Sequence, residues 1–369
     1  SMFALGLCQS FKFILDSSEF LYKSLNYIST MEERFQNTLS IVVPCFNEEL
    51  VIDETVKRLV ELSNELKKHF SLYTELIFVN DGSNDGTLLR LLENLQKYPE
   101  LRVINFARNF GHQIAVTAGM DASNGAAVVL LDADLQDPPP VIFDMVKLWK
   151  EEKYDVVYAT RLERKGESIF KKMTAACFYK LLYKLSDTPI PLNTGDFRLM
   201  SKRVVDVMNT MPEKERFIRG MVSWVGFKQT SLPYKREERF AGHTHYPFHK
   251  MLALALNGIT SFSIKPLKLA SFLGFLCSIL AFVGLIYALL LKLFTSNWIT
   301  GWTSLMLAIL FLGGVQLLCI GILGEYLGRI FVSSKDRPLY IVDKYYGYQN
   351  GHPRVSRSPI IDYEKLNDN

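Results

Sequence analysis

Residues 39–49, L-S-I-V-V-P-C-F-N-E-E, and residues 75–87, E-L-I-F-V-N-D-G-S-N-D-G-T, decide the fold, because in each a short β-branched run stops at a polar loop carrying carboxylates. Runs of this length and composition, without helical spacing, read as buried strands. The pattern predicts strands over 40–43, 75–79, 102–106, 127–131 and 155–158, with helix-period segments over 48–69, 85–97, 112–123 and 138–151 between them. Strands alternating with helices specify an α/β domain, with parallel order and right-handed crossovers as the expected result.

In such a sheet, ligands bind beyond the carboxyl ends of the strands. The loops there run Pro44-Cys45-Phe46-Asn47-Glu48-Glu49, then Asn80-Asp81-Gly82-Ser83-Asn84-Asp85-Gly86-Thr87, and, after the fourth strand, Asp132-Ala133-Asp134-Leu135-Gln136-Asp137. Three loops at one edge therefore present acids. Helix capping is an equal alternative for Asp85 and Asn47. Asp132 and Asp134, two residues apart before a Pro-rich stretch, repel each other unless a cation joins them. A hard divalent ion held through oxygens, with Gln136 as a neutral ligand, fits that pattern. No Gly-rich phosphate loop ending in Gly-Lys-Ser/Thr and no Gly-x-Gly-x-x-Gly follows the first strand, which removes ATPase and dinucleotide dehydrogenase readings.

Composition changes sharply in the last third. Residues 269–291 and 302–324 are uncharged apolar stretches, each longer than the roughly 20 residues that cross a bilayer as helix. Lys265 and Lys268 precede the first, and Arg329, Lys335 and Arg337 follow the second, whereas the short link holds only Lys292. The positive-inside rule puts both outer flanks on the cytoplasmic side. A buried helical hairpin is the bland alternative.

The chain of 369 residues holds 42 Lys and Arg against 38 Asp and Glu, so its net charge of +4 gives no basic footprint, and no nucleic-acid partner is expected. Cys8, Cys45, Cys177, Cys277 and Cys319 lie far apart, as reduced thiols do. Residues 1–38 form an N-terminal segment in which Phe13, Ile14, Leu21, Leu25 and Ile28 suggest an amphipathic helix rather than a signal peptide. A catalytic domain is expected over 39–240, an interfacial helix region over 241–266, two transmembrane helices over 267–330 and a cytoplasmic tail over 331–369. Two stripes, Ile169/Met173/Cys177/Leu181/Leu185 and Phe248/Leu252/Ala255/Ile259, read as helices lying in the headgroup layer, with a core face as the alternative.

The loops V-P-C-F-N-E-E, V-N-D-G-S-N-D-G-T and L-D-A-D-L-Q-D-P-P resemble the nucleotide-sugar loops of glycosyltransferase family 2, whose fold is the type A (Rossmann-like) glycosyltransferase domain. R-N-F-G-H-Q (108–113), A-T-R (159–161), T-G-D-F-R-L (194–199), R-F-I-R-G (216–220) and R-F-A-G-H-T-H-Y-P (239–247) resemble its polyprenyl-phosphate branch. That branch includes bacterial polyprenyl-phosphate glucosyltransferases and, more distantly, dolichyl-phosphate mannose synthases. The resemblance spans about residues 39–337.

It implies an inverting, metal-dependent membrane enzyme that moves a sugar from a nucleotide sugar onto polyprenyl (undecaprenyl) phosphate. The expected location is the inner (plasma) membrane, multi-pass, with the catalytic domain cytoplasmic. By the resemblance Pro44, Phe46, Glu48 and Asp81 hold the base and ribose with help from Asp132, while Asp134 and Gln136 hold Mg or Mn. Arg161, Ser168 and Arg239 match positions near the acceptor phosphate, and Asp196 matches the carboxylate facing the reacting centre, as base, as orienter, or as support for Arg198. His245 departs from the Lys or Arg usual there and leaves that loop an imidazole, largely uncharged at neutral pH.

UDP-glucose is the favoured donor, with mannose, N-acetylglucosamine and aminoarabinose donors as alternatives. A processive polysaccharide synthase is disfavoured by the lack of Gln-x-x-Arg-Trp. A non-catalytic nucleotide-sugar-binding membrane module is the alternative of another class. The paired membrane helices are expected to support a homo-oligomer, up to a tetramer.

Overall fold

The computed structural model describes residues 37–162, 194–237, 265–294 and 301–348. Residues 1–36 of the N-terminal segment, Ser168, Arg239, both amphipathic stripes and His245 lie outside these residues.

The first half folds as β1 (Thr38–Cys45), α1 (Ile52–Phe70), β2 (Tyr73–Asn80), α2 (Thr87–Leu95), β3 (Leu101–Phe106), α3 (His112–Asp121), β4 (Ala127–Leu130), α4 (Val141–Glu151) and β5 (Val156–Arg161). Then come β6 (Thr194–Ser201), α5 (Lys202–Thr210), α6 (Ile218–Val225), β7 (Gln229–Tyr234), α7 (Lys265–Phe294), α8 (Trp302–Ser334) and β8 (Val342–Tyr346). The strands make one eight-stranded sheet, ordered β7-β5-β6-β4-β1-β2-β3-β8.

Alternation along the strands assigns residues to two cores. Ile41, Val43, Phe78, Val103, Val129 and Leu199 face α1, α2 and α4, and Val42, Ile77, Ile104, Leu130 and Met200 face α3, α5 and α6. The result is a three-layer sandwich whose central strands are apolar on both faces, as parallel strands between helices must be.

The five strands expected from the sequence run in one direction, and two strands outside that expectation run against them. β4, β1, β2 and β3 pair in parallel, but β6 enters antiparallel between β4 and β5, and β8 pairs antiparallel with β3. β6 gave no clear strand signal because Asp196 and Arg198 occupy alternate positions on it, and buried charges on a strand are rare unless other segments pair them. The boundary at 331 is corrected: α8 runs to Ser334, and 342–346 return to the sheet as its edge strand.

Tyr340 anchors that return. It is fully buried, stacks on Phe106 with centroids 5.2 Å apart, and donates its hydroxyl to Asp121 Oδ2 at 2.9 Å. Asn105 Nδ2 also donates to Asp343 Oδ2 at 3.0 Å. Tyr340→Ala is expected to cost about 3–5 kcal/mol, the range for an emptied aromatic site in a core, and to free β8 from the sheet. Thermal unfolding in detergent, with limited proteolysis after residue 337, checks it; an unchanged midpoint and an intact C-terminal segment would show that the clasp contributes nothing.

The pairing directions also fix where chain segments emerge. β1 to β5 and β7 end on one edge, and antiparallel β6 and β8 begin there, as Thr160↔Thr194, Arg161↔Tyr234 and Phe106↔Val342 register. The chain returns from the end of α8 to β8 within eight residues, so α8 joins the domain at the edge that carries the acidic loops. α7 and α8 pack on each other and are long and apolar enough to cross a membrane. Their surfaces are exposed, with Phe272, Phe275, Phe282, Leu310 and Leu317 open to the surroundings. A core helix would be covered, so the buried-hairpin alternative fails.

Candidate active site

The first two loops are stitched together by their own polar groups. Asp81 N donates to Cys45 O at 2.9 Å, Glu48 N to Thr87 Oγ1 at 2.9 Å, Asn84 N to Asn47 Oδ1 at 2.9 Å and Gly86 N to Glu49 Oε2 at 3.0 Å. Asp85 accepts from Thr87 N at 3.1 Å and Glu49 N at 3.2 Å, so it ties the start of α2 to the first loop, close to the capping reading. Asn47, in the left-handed region, bridges loops instead of capping. Pro44 is buried beneath this edge, Phe46 is exposed on it and Glu48 is half-buried.

Asp81 is buried and accepts from Phe110 N at 2.6 Å and Gly111 N at 2.9 Å. Burial raises its carboxyl above the ordinary range, and the two amides oppose that rise. Each carboxylate oxygen can accept further bonds, so a nucleoside contact remains compatible with this role. Gly82 has φ +64°, and a Cβ there would come within 2.4 Å of the Arg108 carbonyl carbon, so only glycine lets the 108–111 loop close over Asp81.

Residues 132–137 curl around Leu135, which is buried with φ 57°. A left-handed leucine costs on the order of 1–2 kcal/mol, a strain typical of ligand loops. Asp134 and Gln136 are both buried, and Gln136 N donates to Asp134 Oδ1 at 3.1 Å. Two carboxylates and an amide oxygen on one short loop fit a hard cation that takes its other ligands from phosphate and water, as Mg and Mn do. Burial, with Asp196, Asp137 and Asp134 nearby, lifts Asp132 to about 6 against the pull of His112. A site so crowded with acid favours an added cation.

The resident positive group there is His112, at the start of α3. Its Nε2 lies 3.6 Å from Asp132 Oδ1 and 3.4 Å from Asp196 Oδ2, so it spans the donor loop and β6. Desolvation opposes the imidazolium, but Asp196 and Asp132 outweigh it and raise His112 to about 9.

Asp196 is buried and fully engaged: Arg219 Nε donates to Oδ1 at 2.9 Å, Arg219 Nη2 to Oδ2 at 3.3 Å and Gln113 Nε2 to Oδ2 at 3.0 Å. Burial alone would raise this carboxyl, but the bond to His112 and the charge of Arg219 hold it well below the usual range. Arg198 does not reach the carboxylate; it donates to the backbone oxygens of Gly195 at 2.8 Å and Asp196 at 3.3 Å.

Arg161 packs over Gly195, where a Cβ would sit 2.9 Å from Nη2, and donates to Tyr234 Oη at 3.3 Å. Tyr234 in turn donates to the fully buried Asp137, which also lies 4.0 Å from Arg161 Nη2 and 3.6 Å from Arg236 Nε. Asp132, Asp134, Gln136, Arg161 and Asp196 thus gather at the edge that holds Pro44, Phe46, Glu48 and Asp81. Sequence reasoning missed the roles of His112, Gln113, Arg219 and Asp137. Three stand inside the motifs 108–113 and 216–220, but their partners lie up to 105 residues away, as with Ile218 N on Gln113 Oε1.

Comparison with known families agrees with this architecture. Residues 40–208 match the model of glycosyl transferase family 2, and residues 265–330 match that of the GtrB C-terminal hairpin. The chain is 55% identical over 311 residues to the uncharacterized glycosyltransferase YkcC of Bacillus subtilis, covering 84% of this chain and 95% of that protein. It is 41% identical over 306 residues to the prophage bactoprenol glucosyl transferase homolog of Escherichia coli K12, covering 83% of this chain and 98% of that one. The bactoprenol glucosyl transferase of Shigella phage SfV is likewise 41% identical, over 82% of this chain and 97% of its own length. An acidic strand edge of this composition, joined to an apolar hairpin at that same edge and matched along most of its length by these relatives, makes the chain a member of glycosyltransferase family 2 carrying the GtrB-type hairpin.

Proposed function

We propose that the enzyme transfers glucose from UDP-glucose to polyprenyl phosphate with inversion, using Mg or Mn. The observation that carries this reading is the junction of the apolar hairpin with the acidic edge, which brings a membrane-borne acceptor to the sugar. The relatives named bactoprenol glucosyl transferases support the sugar and the lipid.

In this reading Pro44, Phe46, Glu48, Asp81 and Asp132 seat the nucleoside, and Asp134 and Gln136 hold the metal. A bound divalent ion would offset the charge that builds on the departing nucleotide diphosphate. The nucleophile is a phosphate oxygen, already anionic because its second pKa is about 6. No general base is required. Asp196, locked by Arg219 and Gln113, acts as an orienter: it keeps His112 charged and holds His112 and Arg219 in place where two anionic substrates meet. Arg161, steadied by Tyr234 and Asp137, grips the acceptor phosphate with Ser168 and Arg239. The catalytic domain would lie at the cytoplasmic face of the plasma membrane, with the two helices spanning it and packing into a homo-oligomer.

The test is to incubate purified protein with UDP-glucose, other UDP- and GDP-sugars and a short polyprenyl phosphate, then weigh the lipid. A lipid gaining one hexose from UDP-glucose, only with divalent metal present, is expected. Transfer from another donor alone would overturn the assignment of glucose, and an unmodified lipid with every donor would overturn the reaction.

A further inference from the structure

The segment from Met211 to Arg219 touches the membrane hairpin at one end and the reacting-centre carboxylate at the other. Lys214 Nζ donates to Asp336 Oδ1 and to the Arg337 carbonyl oxygen, both at 2.9 Å, and Glu215 pairs with Arg329. These partners lie in the last turns of α8 or just after it. Arg329 is also held by Glu325 at 2.9 Å, so its guanidinium sits between two carboxylates and its side chain is only 16% exposed.

In the middle of the segment, Arg216 is buried and donates to the carbonyl oxygens of Met208 at 3.1 Å and Met211 at 2.6 Å, which pins the chain to the end of α5. At the far end, Ile218 N donates to Gln113 Oε1 at 3.0 Å while Arg219 grips Asp196. Gln113 and Arg219 are therefore placed by the same short stretch that docks on α8.

An isolated exposed ion pair contributes little to stability. Two such contacts on one side of a buried arginine peg, with the Asp196 clamp on the other, make sense as a geometric link. Only four residues separate Lys214 from Arg219, so little slack exists to absorb a displacement at the α8 end.

We propose that Lys214 and Glu215 are positioning residues, which dock on the end of α8 and thereby set Arg219 and Gln113 around Asp196, so that transfer depends on the seated hairpin. The rate readout rests on the transferase reading above; the structural readout does not. The experiment uses the full chain in lipid nanodiscs, comparing wild type, the double variant Lys214→Ala/Glu215→Ala, and Lys214→Glu alone and combined with Asp336→Lys.

In the double variant kcat is expected to fall roughly tenfold, the effect of a coupling of ordinary size between contacting groups, while UDP-glucose affinity stays unchanged. Hydrogen exchange should rise at amides 217–221 and not in β1 or β2. Lys214→Glu should behave like the double variant, and adding Asp336→Lys, which re-forms the ion pair but not the bond to the Arg337 carbonyl, should restore part of both rate and protection. Unaltered exchange over 217–221, a uniform rise across the sheet, or a failure of Asp336→Lys to rescue overturns the proposal. If wild type transfers no sugar, the reaction assignment fails, and the exchange data still decide whether the link exists.

Discussion

Asp134→Ala is expected to lower sugar transfer by at least ~10³-fold, beyond the loss of a single transition-state donor, because in the proposed reaction Asp134 would hold a metal that serves both donor binding and leaving-group charge. The fold should survive. Asp134 receives a hydrogen bond from Gln136 N within its own loop, and α4 begins only at Val141, four residues past that loop. Relief of crowding among the acids near Asp132 offsets part of any local loss. Metal-dependent binding of UDP-glucose, followed by calorimetry, should vanish with the activity while the circular dichroism spectrum stays native. Turnover near wild type would remove Asp134 from the metal site.

Asp196→Asn should slow transfer by about 10²–10³-fold, comparable with removing a preorganised electrostatic group, and spare donor affinity. The amide keeps the shape but not the charge that Arg219 and His112 share. His112 is held near 9 by Asp196 and Asp132 acting against desolvation, so losing one carboxylate moves its titration downward, toward the ordinary histidine value. Imidazole NMR gives this second readout independently of rate. If donor affinity collapsed in step with rate, or His112 titrated as in wild type, Asp196 would belong to the nucleotide pocket rather than to the His112–Arg219 group.

The parallel core was legible because β1 to β5 are β-branched runs ending in loops whose glycines and acids are unmistakable. β6 was not, since its alternation places Asp196 and Arg198 where apolar residues would signal a strand, and their satisfaction comes from Arg219, Gln113 and backbone oxygens. β8 was hidden for a different reason: Val342 to Tyr346 follow a long apolar helix and a basic turn, a context that reads as a tail. Its place at the sheet edge is set by tertiary contacts of Tyr340 with Phe106 and Asp121. The acids of the site were legible as acids, whereas the cations around them depend on chain crossings that spacing does not encode.

The acidic edge meets the apolar hairpin through the return of α8 to β8 and through the 211–219 segment. Depth-dependent quenching tests this most directly, with a fluorophore at Lys235→Cys beside the site edge or at Lys153→Cys at the opposite edge, native thiols blocked, and a quencher on the lipid headgroups. Both positions are exposed, so each tolerates the label. Strong quenching at 235 with little at 153 is the expected result, and equal or reversed quenching would show that the acidic edge does not face the bilayer.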